Sequence, residues 1–471
     1  VDRAWAAGVG RFVLGTGAAN ALGLVWSAWA ARWLGAGGSA DYFAALFVLQ
    51  AVYMAGHPLN GATARLGARW HAEGRPERVL ALVSWLMRRG AVVVVLAAIL
   101  ITATFSWQLE RLHFASAWPL ALGWLAGGVA LVAGTLRGAL RGAGLLHLLA
   151  WSFVVEAVLR LAVGAGLLTW QPSAGPGVAA HLIGLAVAIA LPAWWLRRLR
   201  SPTRIPAVPT APTVLTVPTV PTVLTVPTVD VAPVDVASLA VPPAAAPSDA
   251  DQTLATVSKI VSPIGTREVG RVLLPMLALS LADAGWQSAD MLAAKHLLAD
   301  TAAGHYGAIA TLVRLFAVLV QPFALLVIPE LVAAEARGEG TGHRLGSLFA
   351  GFTALAGVAL AALVLWPEPI VRLVFGAGFV AAAPLVLPQA IGALATYLAM
   401  MLGQAFAAVG QWRFLALHAV GLVVLAVLMA HSEDGAGLAT VQAVVKVALL
   451  IALIAAWLLR GRSPSIRRGA P

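Results

Sequence analysis

The chain has 471 residues, of which 60% are hydrophobic and 11% are charged, and its mean hydropathy is +0.88. Soluble proteins carry about 25% charged residues, so this composition excludes a soluble enzyme and a disordered regulator and predicts an all-α polytopic membrane protein. The net charge of +11 comes from 31 lysines and arginines, and because these lie between apolar segments they indicate membrane topology and not nucleic-acid binding.

Twelve apolar stretches are candidates for membrane-spanning helices, each of which needs about 20 residues to cross the hydrocarbon core. In chain order they cover residues 12–32, 42–63, 90–107, 117–136, 148–170, 177–196, 272–294, 304–330, 346–366, 383–408, 412–430 and 437–459. If the amino terminus is cytoplasmic and the spans alternate, the carboxy terminus is cytoplasmic as well.

The positions of the basic residues support this order of spans. The inner segments then hold 24 lysines and arginines, Arg137 among them, and the outer segments hold 4, Lys295 among them. Arginine and lysine are enriched in the cytoplasmic loops of membrane proteins. The distribution of charge therefore predicts twelve spans with both termini in the cytoplasm.

An abrupt change of composition divides the chain. Residues 212–220 read PTVLTVPTV and residues 221–229 repeat them, and proline at this frequency prevents a helix and favours an extended backbone. We predict an amino-terminal six-helix bundle over 1–200, a cytoplasmic linker over 201–262 and a carboxy-terminal six-helix bundle over 263–471. The linker is interpreted as a spacer, and the alternative is a docking strip for a partner.

The two predicted bundles resemble each other faintly. Tyr42 and Pro58 of the second span match Tyr306 and Pro322 of the eighth at an offset of 264 residues. Two repeated bundles with a cleft between them are typical of transporters. Because a proline frees a backbone carbonyl and permits a bend, we expect the second and eighth spans to bend at equivalent positions.

Charged residues inside the spans are costly and are therefore candidates for function or for structural pairing. Glu156 and Arg160 are four residues apart in the fifth span, on one helix face, where they can pair. That pair is either part of a site or a bridge that lets the helix insert. Lys446 in the twelfth span has no carboxylate within four residues, so it must face water or a partner helix.

The seventh and eighth spans hold three more charges. Asp283 and Asp290 are seven residues apart on one face of the seventh span, and Arg314 lies in the eighth at a depth similar to that of Asp283. We predict an ion pair between Asp283 and Arg314 at the cleft. The alternative is a structural pair that joins two adjacent helices.

Uncharged polar side chains add further candidates. Asn20 and Gln50 lie in the first two spans, and His57 and Gln321 occupy equivalent positions in the two halves, each immediately before a proline. A single intramembrane histidine is usually satisfied by a neighbouring helix, and the alternative at His57 is a proton relay. The glycines that recur at four-residue spacing in 123–142 predict close helix packing within the bundle.

No motif for catalysis or nucleotide binding occurs in the sequence, which lacks G-x-x-x-x-G-K-[ST], H-E-x-x-H and G-x-S-x-G. The chain also has no cysteine, which excludes disulfides and cysteine-based metal sites. We expect neither an enzyme nor a bound cofactor or metal. Any transport would then draw on an ion gradient, the membrane potential or the gradient of the substrate.

Two segments resemble a known family of transporters. Residues 290–330, which close on Pro329 and Glu330, resemble the seventh and eighth spans of the polysaccharide-exporter branch of the multidrug/oligosaccharidyl-lipid/polysaccharide (MOP) flippase superfamily. Residues 134–161 resemble the connection between its fourth and fifth spans. The resemblance implies a V-shaped pair of six-helix bundles whose cavity opens alternately to the two sides of the bacterial inner membrane.

The resemblance also implies a substrate, a polyprenyl-diphosphate-linked oligosaccharide whose diphosphate is held by cationic cavity residues. Arg314 is the position that carries over. Arg160 and Lys446 are added because they are intramembrane cations, and Asn20, Gln50 and Gln321 because they are intramembrane polar residues. We expect a monomer that meets membrane lipids, its lipid-linked glycan and glycan-assembly enzymes, and no nucleic acid.

Two other functions remain open. One is a cation-coupled multidrug exporter of the MATE type, in which Asp283 and Asp290 bind sodium or a proton, and the other is a membrane scaffold without transport activity. A flippase predicts that the intramembrane cations line the cleft while the carboxylates pair elsewhere. An exporter predicts the reverse.

Overall fold

The computed structural model describes residues 3–72, 77–198, 266–314, 341–408 and 411–460. These residues form helices and short connections, and no β-strand occurs among them. The predicted linker over 201–262 lies outside the described residues, as do Gln321, Pro322 and Glu330.

The amino-terminal half is built from six helices. They are α1 (Arg3–Ala55), α2 (His57–Ala72), α3 (Glu77–Arg111), α4 (Ala117–Gly142), α5 (Leu146–Trp170) and α6 (Ala174–Arg198). Helix α1 contains a break at Gly35, where φ is 68° and ψ is 175°. Glycine adopts a positive φ without the steric cost that a Cβ adds, so the first predicted span and the first part of the second lie in separate segments of α1.

The predicted bend of the second span occurs between α1 and α2. Gly56 interrupts the helix, its N–H donating to the carbonyl of Tyr53 at 3.0 Å, and the chain resumes a helical course at His57 and Pro58. Proline has no N–H to donate and is well tolerated in a first helical turn. The equivalent bend expected at Pro322 stays a prediction because that residue is outside the described part.

The described carboxy-terminal half contains seven α-helices and one 3₁₀-helix. The α-helices are α7 (Thr266–Leu297), α8 (Asp300–Val313), α9 (Thr341–Leu365), α10 (Pro367–Phe375), α11 (Val386–Ala408), α12 (Leu415–Met429) and α13 (Gly435–Arg460), and the 3₁₀-helix (Ala377–Leu385) precedes α11.

Seven of the described helical segments are long and apolar enough to cross a membrane, and α12 is a shorter apolar helix of 15 residues. The chain is therefore a multi-pass membrane protein. Each of the twelve predicted spans overlaps a described helix in whole or in part. Their arrangement as two six-helix bundles with cytoplasmic termini stays a prediction.

Five exposed tryptophans lie at one end of the molecule. Trp33, Trp107, Trp118, Trp170 and Trp366 are each at least 48% exposed and lie near helix ends that face the same side. Tryptophan is enriched at the level of the lipid headgroups, where its ring is half apolar and half hydrated. We call this side the tryptophan end, and in the predicted topology it is the outer end.

The glycines of α4 bring it close to α1 and α2, as their spacing predicted. A Cβ on Gly123 would lie 2.8 Å from the carbonyl oxygen of Ala45, and a Cβ on Gly138 would lie 2.5 Å from that of Asn60. Both distances are to backbone atoms, which cannot move aside. These glycines therefore serve packing within the amino-terminal half.

The two halves meet at the tryptophan end, where the second segment of α1 packs against α7 and α8. Helix α8 approaches α1 so closely that a Cβ on Gly304 would lie 1.7 Å from the carbonyl oxygen of Ala36. A Cβ on Gly307 would lie 2.7 Å from Phe43. The halves are thus in backbone contact at this end.

Candidate functional site

A small cavity with charged and polar residues in its wall lies inside the carboxy-terminal half, has a volume of about 30 Å³ and is partly open to its surroundings. Its walls come from α7, α8, α11 and α13, with one side chain from α1. The lining residues are Phe47, Trp286, Gln287, Asp290, Ala310, Val313, Arg314, Gln389, Ala393, Thr396, Tyr397, Gln442 and Lys446. Lys446 is eleven residues into α13, about 16 Å from the helix end, so the cavity is within the membrane.

Arg314, at the end of α8, contributes a cation to the cavity. Its Nη2 donates to the carbonyl oxygen of Gln287 at 2.8 Å, and its Cζ lies 3.5 Å from the centre of the Phe47 ring. Neither partner is charged. Among the described residues Arg314 forms no ion pair within 4 Å, and the nearby carboxylate of Asp290, which lines the same cavity, is paired with Lys446.

Lys446 contributes the second cation. Its Nζ lies 3.6 Å from Oδ2 of Asp290 on α7, which is the partner-helix alternative predicted for it. Asp290 Oδ2 also accepts a hydrogen bond from the hydroxyl of Tyr306 at 3.4 Å, and Oδ1 accepts one from the N–H of Met291 at 2.9 Å. The carboxylate of Asp290 is therefore satisfied and offsets the charge of Lys446.

The predicted pair between Asp283 and Arg314 is wrong. Arg314 donates instead to the carbonyl of Gln287, which is one helical turn further along α7 than Asp283. Arg314 therefore lies at the depth of Gln287 in the membrane and not at that of Asp283. Asp283 is 6% exposed, and its Oδ1 has no hydrogen-bond partner. It lines a second pocket with His418 and Lys446.

The two pockets are neighbours. Trp286, Thr396 and Lys446 line both of them. Lys446 thus stands between Asp290 on one side and the unpartnered carboxyl of Asp283 on the other. The two pockets together hold two cations, Arg314 and Lys446, and two carboxyls, Asp283 and Asp290. The flippase prediction placed only cations at the site and the exporter prediction only carboxylates, so neither matches it completely.

The intramembrane charges of the amino-terminal half form a network of their own away from this cavity, in which Glu156 is shared by two arginines. The predicted pair of Glu156 and Arg160 is confirmed at 3.7 Å, and a shorter contact of 2.5 Å joins Glu156 to Arg137 of α4. Arg137 also donates to the hydroxyl of Ser152 at 3.2 Å. Arg160, a predicted cavity residue, does not line either pocket.

The same network extends to α6. Nδ1 of His181 lies 3.3 Å from Nη1 of Arg160, and Nε2 accepts a hydrogen bond from the indole N–H of Trp26 at 3.1 Å. Gly164 packs against the indole so tightly that a Cβ there would lie 2.2 Å from it. Protein side chains are closely packed at this point, and neither of the two pockets extends to it.

The other predicted site residues are dispersed. Asn20 is exposed and Gln50 is half-buried, and neither lines a pocket. His57 is exposed, with its ring edge-on to Tyr53 at 5.1 Å. Gln321 lies outside the described residues.

Sequence reasoning missed several functional candidates. Arg137 was counted as a loop charge because the fourth span was ended one residue before it, although α4 continues to Gly142. Gln287 carries no charge and gave no signal, and the repeat match of Tyr306 with Tyr42 did not indicate that it bonds to Asp290. Lys295, counted as an outer loop residue, is 1% exposed. Within the described residues no group of three or more histidine and acidic side chains could hold a metal ion.

The similarity of the chain to known proteins lies in its structure. No protein-family model matches the sequence, and no curated protein matches it. Solved structures match over nearly the whole chain. A MATE multidrug-resistance transporter in its inward-facing conformation aligns with a TM-score of 0.63 and 12% identity, covering 94% of this chain and 96% of that one.

Two other structures are similar. The lipid II flippase MurJ in an inward closed conformation aligns with a TM-score of 0.61 and 12% identity, over 94% of this chain and 87% of that one. A MOP superfamily transporter from Pyrococcus furiosus aligns with a TM-score of 0.58 and 14% identity, over 96% and 95%. The chain has the fold of the MOP-superfamily transporters. At these identities the likeness to the MOP fold shows architecture, and both MATE transporters and a flippase share it.

Proposed function

We propose that the chain is a transporter that flips a polyprenyl-diphosphate-linked oligosaccharide across the bacterial inner membrane by alternating access. The observation that carries this proposal is Arg314, a cation in the cavity whose close partners are the carbonyl of Gln287 and the ring of Phe47, with no ion pair within 4 Å among the described residues. A guanidinium suits a diphosphate because its planar donors bind phosphate oxygens two at a time. A buried diphosphate without such a partner would be prohibitively costly.

Lys446 supports the same proposal. It lines the same cavity, and its Nζ lies 3.6 Å from Oδ2 of Asp290, a distance longer than a close ion pair. A doubly charged phosphate group entering the cavity would attract Lys446 as well as Arg314. The two cations together exceed the charge of Asp290, so the first pocket carries a net positive charge.

The alternating-access part of the proposal is supported by the contact of the halves at one end. We propose two six-helix bundles with cytoplasmic termini, joined by the linker over 201–262. In this orientation the tryptophan end is outside and closed. The similar structures include both inward and outward conformations.

A cation-coupled exporter of the MATE type is the second candidate, and one observation favours it. Asp283 is a buried carboxyl whose Oδ1 lacks a partner, and such a group can bind a proton or a sodium ion. MATE transporters are also among the similar structures. In this alternative Asp283 carries the coupling ion and the substrate is an organic cation.

Deletion of the gene in its native host, followed by lipid analysis, separates the two. The flippase proposal expects polyprenyl-diphosphate sugars to accumulate and surface glycan to be lost, with unchanged sensitivity to cationic dyes. Complementation with Arg314→Gln should fail, whereas Arg413→Gln, which removes an exposed arginine outside the cavity, should restore glycan. Normal glycan with dye hypersensitivity would establish the exporter instead.

A further inference from the structure

A buried lysine joins the two halves at the tryptophan end. The side chain of Lys295, near the end of α7, is fully buried. Its Nζ lies 2.7 Å from Oδ1 of Asp41 on α1 and donates to Oδ1 of Asp300 at 2.5 Å. One lysine therefore connects a carboxylate of the amino-terminal half with a carboxylate of its own half.

The two carboxylates differ in what surrounds them. The side chain of Asp41 is 12% exposed, and its Oδ2 accepts a hydrogen bond from the backbone N–H of Ala115 at 3.0 Å. The side chain of Asp300 is 57% exposed and begins α8, five residues after Lys295. Asp300 and Lys295 are joined by a short connection and must move together, whereas Asp41 moves with the other half.

This asymmetry determines what happens when the end opens. Separation of the halves breaks the contact between Lys295 and Asp41. Lys295 keeps Asp300, so it does not become an isolated charge, and Asp41 keeps its bond to Ala115. Removing one partner of a buried pair is far more costly than separating two groups that each retain a partner.

We infer that Lys295 is a positioning residue of the transport cycle, which closes the tryptophan end through Asp41 and remains paired with Asp300 when that end opens. The inference rests on the alternating-access part of the proposed function and does not depend on the substrate. It assigns opposite effects to the two carboxylates. Asp41 stabilises the closed end, and Asp300 lowers the free energy that is needed to open it.

A cysteine in place of Ser39 tests this directly. The chain has no cysteine of its own, and Ser39 is fully buried on the side of α1 that packs against α8. The full chain carrying Ser39→Cys is placed in nanodiscs, and its rate of labelling by a membrane-impermeant thiol reagent is measured. Since labelling requires the halves to separate, the rate is proportional to the population of the open end.

Added to Ser39→Cys, Asp41→Asn should raise the labelling rate about tenfold, because the closed state loses the ion pair that joins the halves at Lys295. Asp300→Asn should lower it about threefold, because opening would leave Lys295 without a carboxylate. Glu368→Gln is the matched control: it removes an exposed carboxylate from the same end and should leave the rate unchanged. Changes of the same sign for Asp41→Asn and Asp300→Asn, or no change for either, would overturn the inference.

A second variant keeps the test valid if Asp41→Asn does not fold because the buried Lys295 has lost one of its two carboxylate partners. The double variant Asp41→Asn with Lys295→Gln removes both buried charges and leaves Asp300 at the surface. It should also label faster than its parent, and a rate equal to the parent's would contradict the role of Lys295. A Cβ on Gly37 would lie 3.7 Å from Oγ1 of Thr301. Cysteines introduced at these two positions should therefore cross-link, and more slowly in the double variant.

Discussion

The guanidinium carbon of Arg314 lies 3.5 Å from the centre of the Phe47 ring, so a cation of the carboxy-terminal half stacks on an aromatic side chain of the amino-terminal half. A desolvated cation–π contact of this kind contributes about 2 kcal/mol. Phe47 is also the residue that completes the cavity wall from α1. The orientation of the proposed phosphate-binding group therefore depends on how the two halves are placed.

Replacement of Phe47 tests this dependence. Phe47→Leu should lower transport at least about tenfold because Arg314 loses the surface that orients it, and Phe47→Tyr should restore most of it. Phe43→Leu is the control, since Phe43 is equally buried on α1 but packs against Gly307. Both leucine variants should lose about 1–2 kcal/mol of stability. Equal transport in the two would show that the contact with Arg314 is without consequence.

Neutralisation of Asp290 distinguishes the two functional candidates. Asp290→Asn leaves Lys446 and Arg314 as two cations without a carboxylate in the first pocket, so a flippase variant should bind soluble diphosphate-bearing lipid analogues more tightly, by about tenfold. Binding is measured by thermal shift of the purified protein over a range of analogue concentrations.

The control for this experiment is the double variant Asp290→Asn with Lys446→Gln, in which the net charge of the pocket is restored and affinity should return toward that of the parent. An exporter would respond differently. There the single variant would lose binding of organic cations and gain none for diphosphates.

Glu156 should be important for stability and not for transport specificity. Glu156→Gln leaves Arg137, which is 2% exposed, without its carboxylate, and should cost about 3 kcal/mol. Arg160→Gln should cost less, about 1 kcal/mol, because its contact with Glu156 is 3.7 Å. The apparent unfolding temperature in detergent measures both. A larger loss for Arg160→Gln would mean that the network is centred on His181 and not on Arg137.

Gly304 should be essential for closure of the tryptophan end. Gly304→Ala places a Cβ against the backbone of Ala36, which cannot move without separating α1 from α8. The cross-linking of cysteines at Gly37 and Thr301 should therefore slow at least about tenfold. Gly346→Ala serves as the control because the space around that glycine in α9 is open. Equal cross-linking in both would show that the halves adjust without opening.

The elements of the fold could be predicted because apolar length and charge asymmetry are local properties of the sequence. The pair of Glu156 and Arg160 followed from helix geometry alone. The Asp283–Arg314 prediction failed because it required the relative depth of two helices, and an error of one turn was enough to exchange Asp283 for Gln287. Side chains that meet across helices depend on packing that no single segment encodes.

Lys295 illustrates a second reason. Its sequence neighbourhood places it at the end of a span, where lysines are normally exposed, and the feature that buries it is the arrival of Asp41 from 254 residues earlier. Arg137 was missed for a simpler reason. A charged residue was taken as the end of the fourth span, whereas α4 carries it into the bundle to meet Glu156.

The backbone contact between Gly304 and Ala36 has an electrical consequence. If the cavity is hydrated from the opposite side, water brings the cytoplasmic potential up to the first pocket, and the membrane voltage falls across the short dry segment between Phe47 and the Gly35 turn. In a cell with a negative interior, outward movement of one negative charge across this segment is favourable by about 2.3 kcal/mol per 100 mV. In the proposed orientation, the close contact of Gly304 with the backbone of Ala36 would concentrate the transmembrane electric field at the point that a diphosphate has to pass.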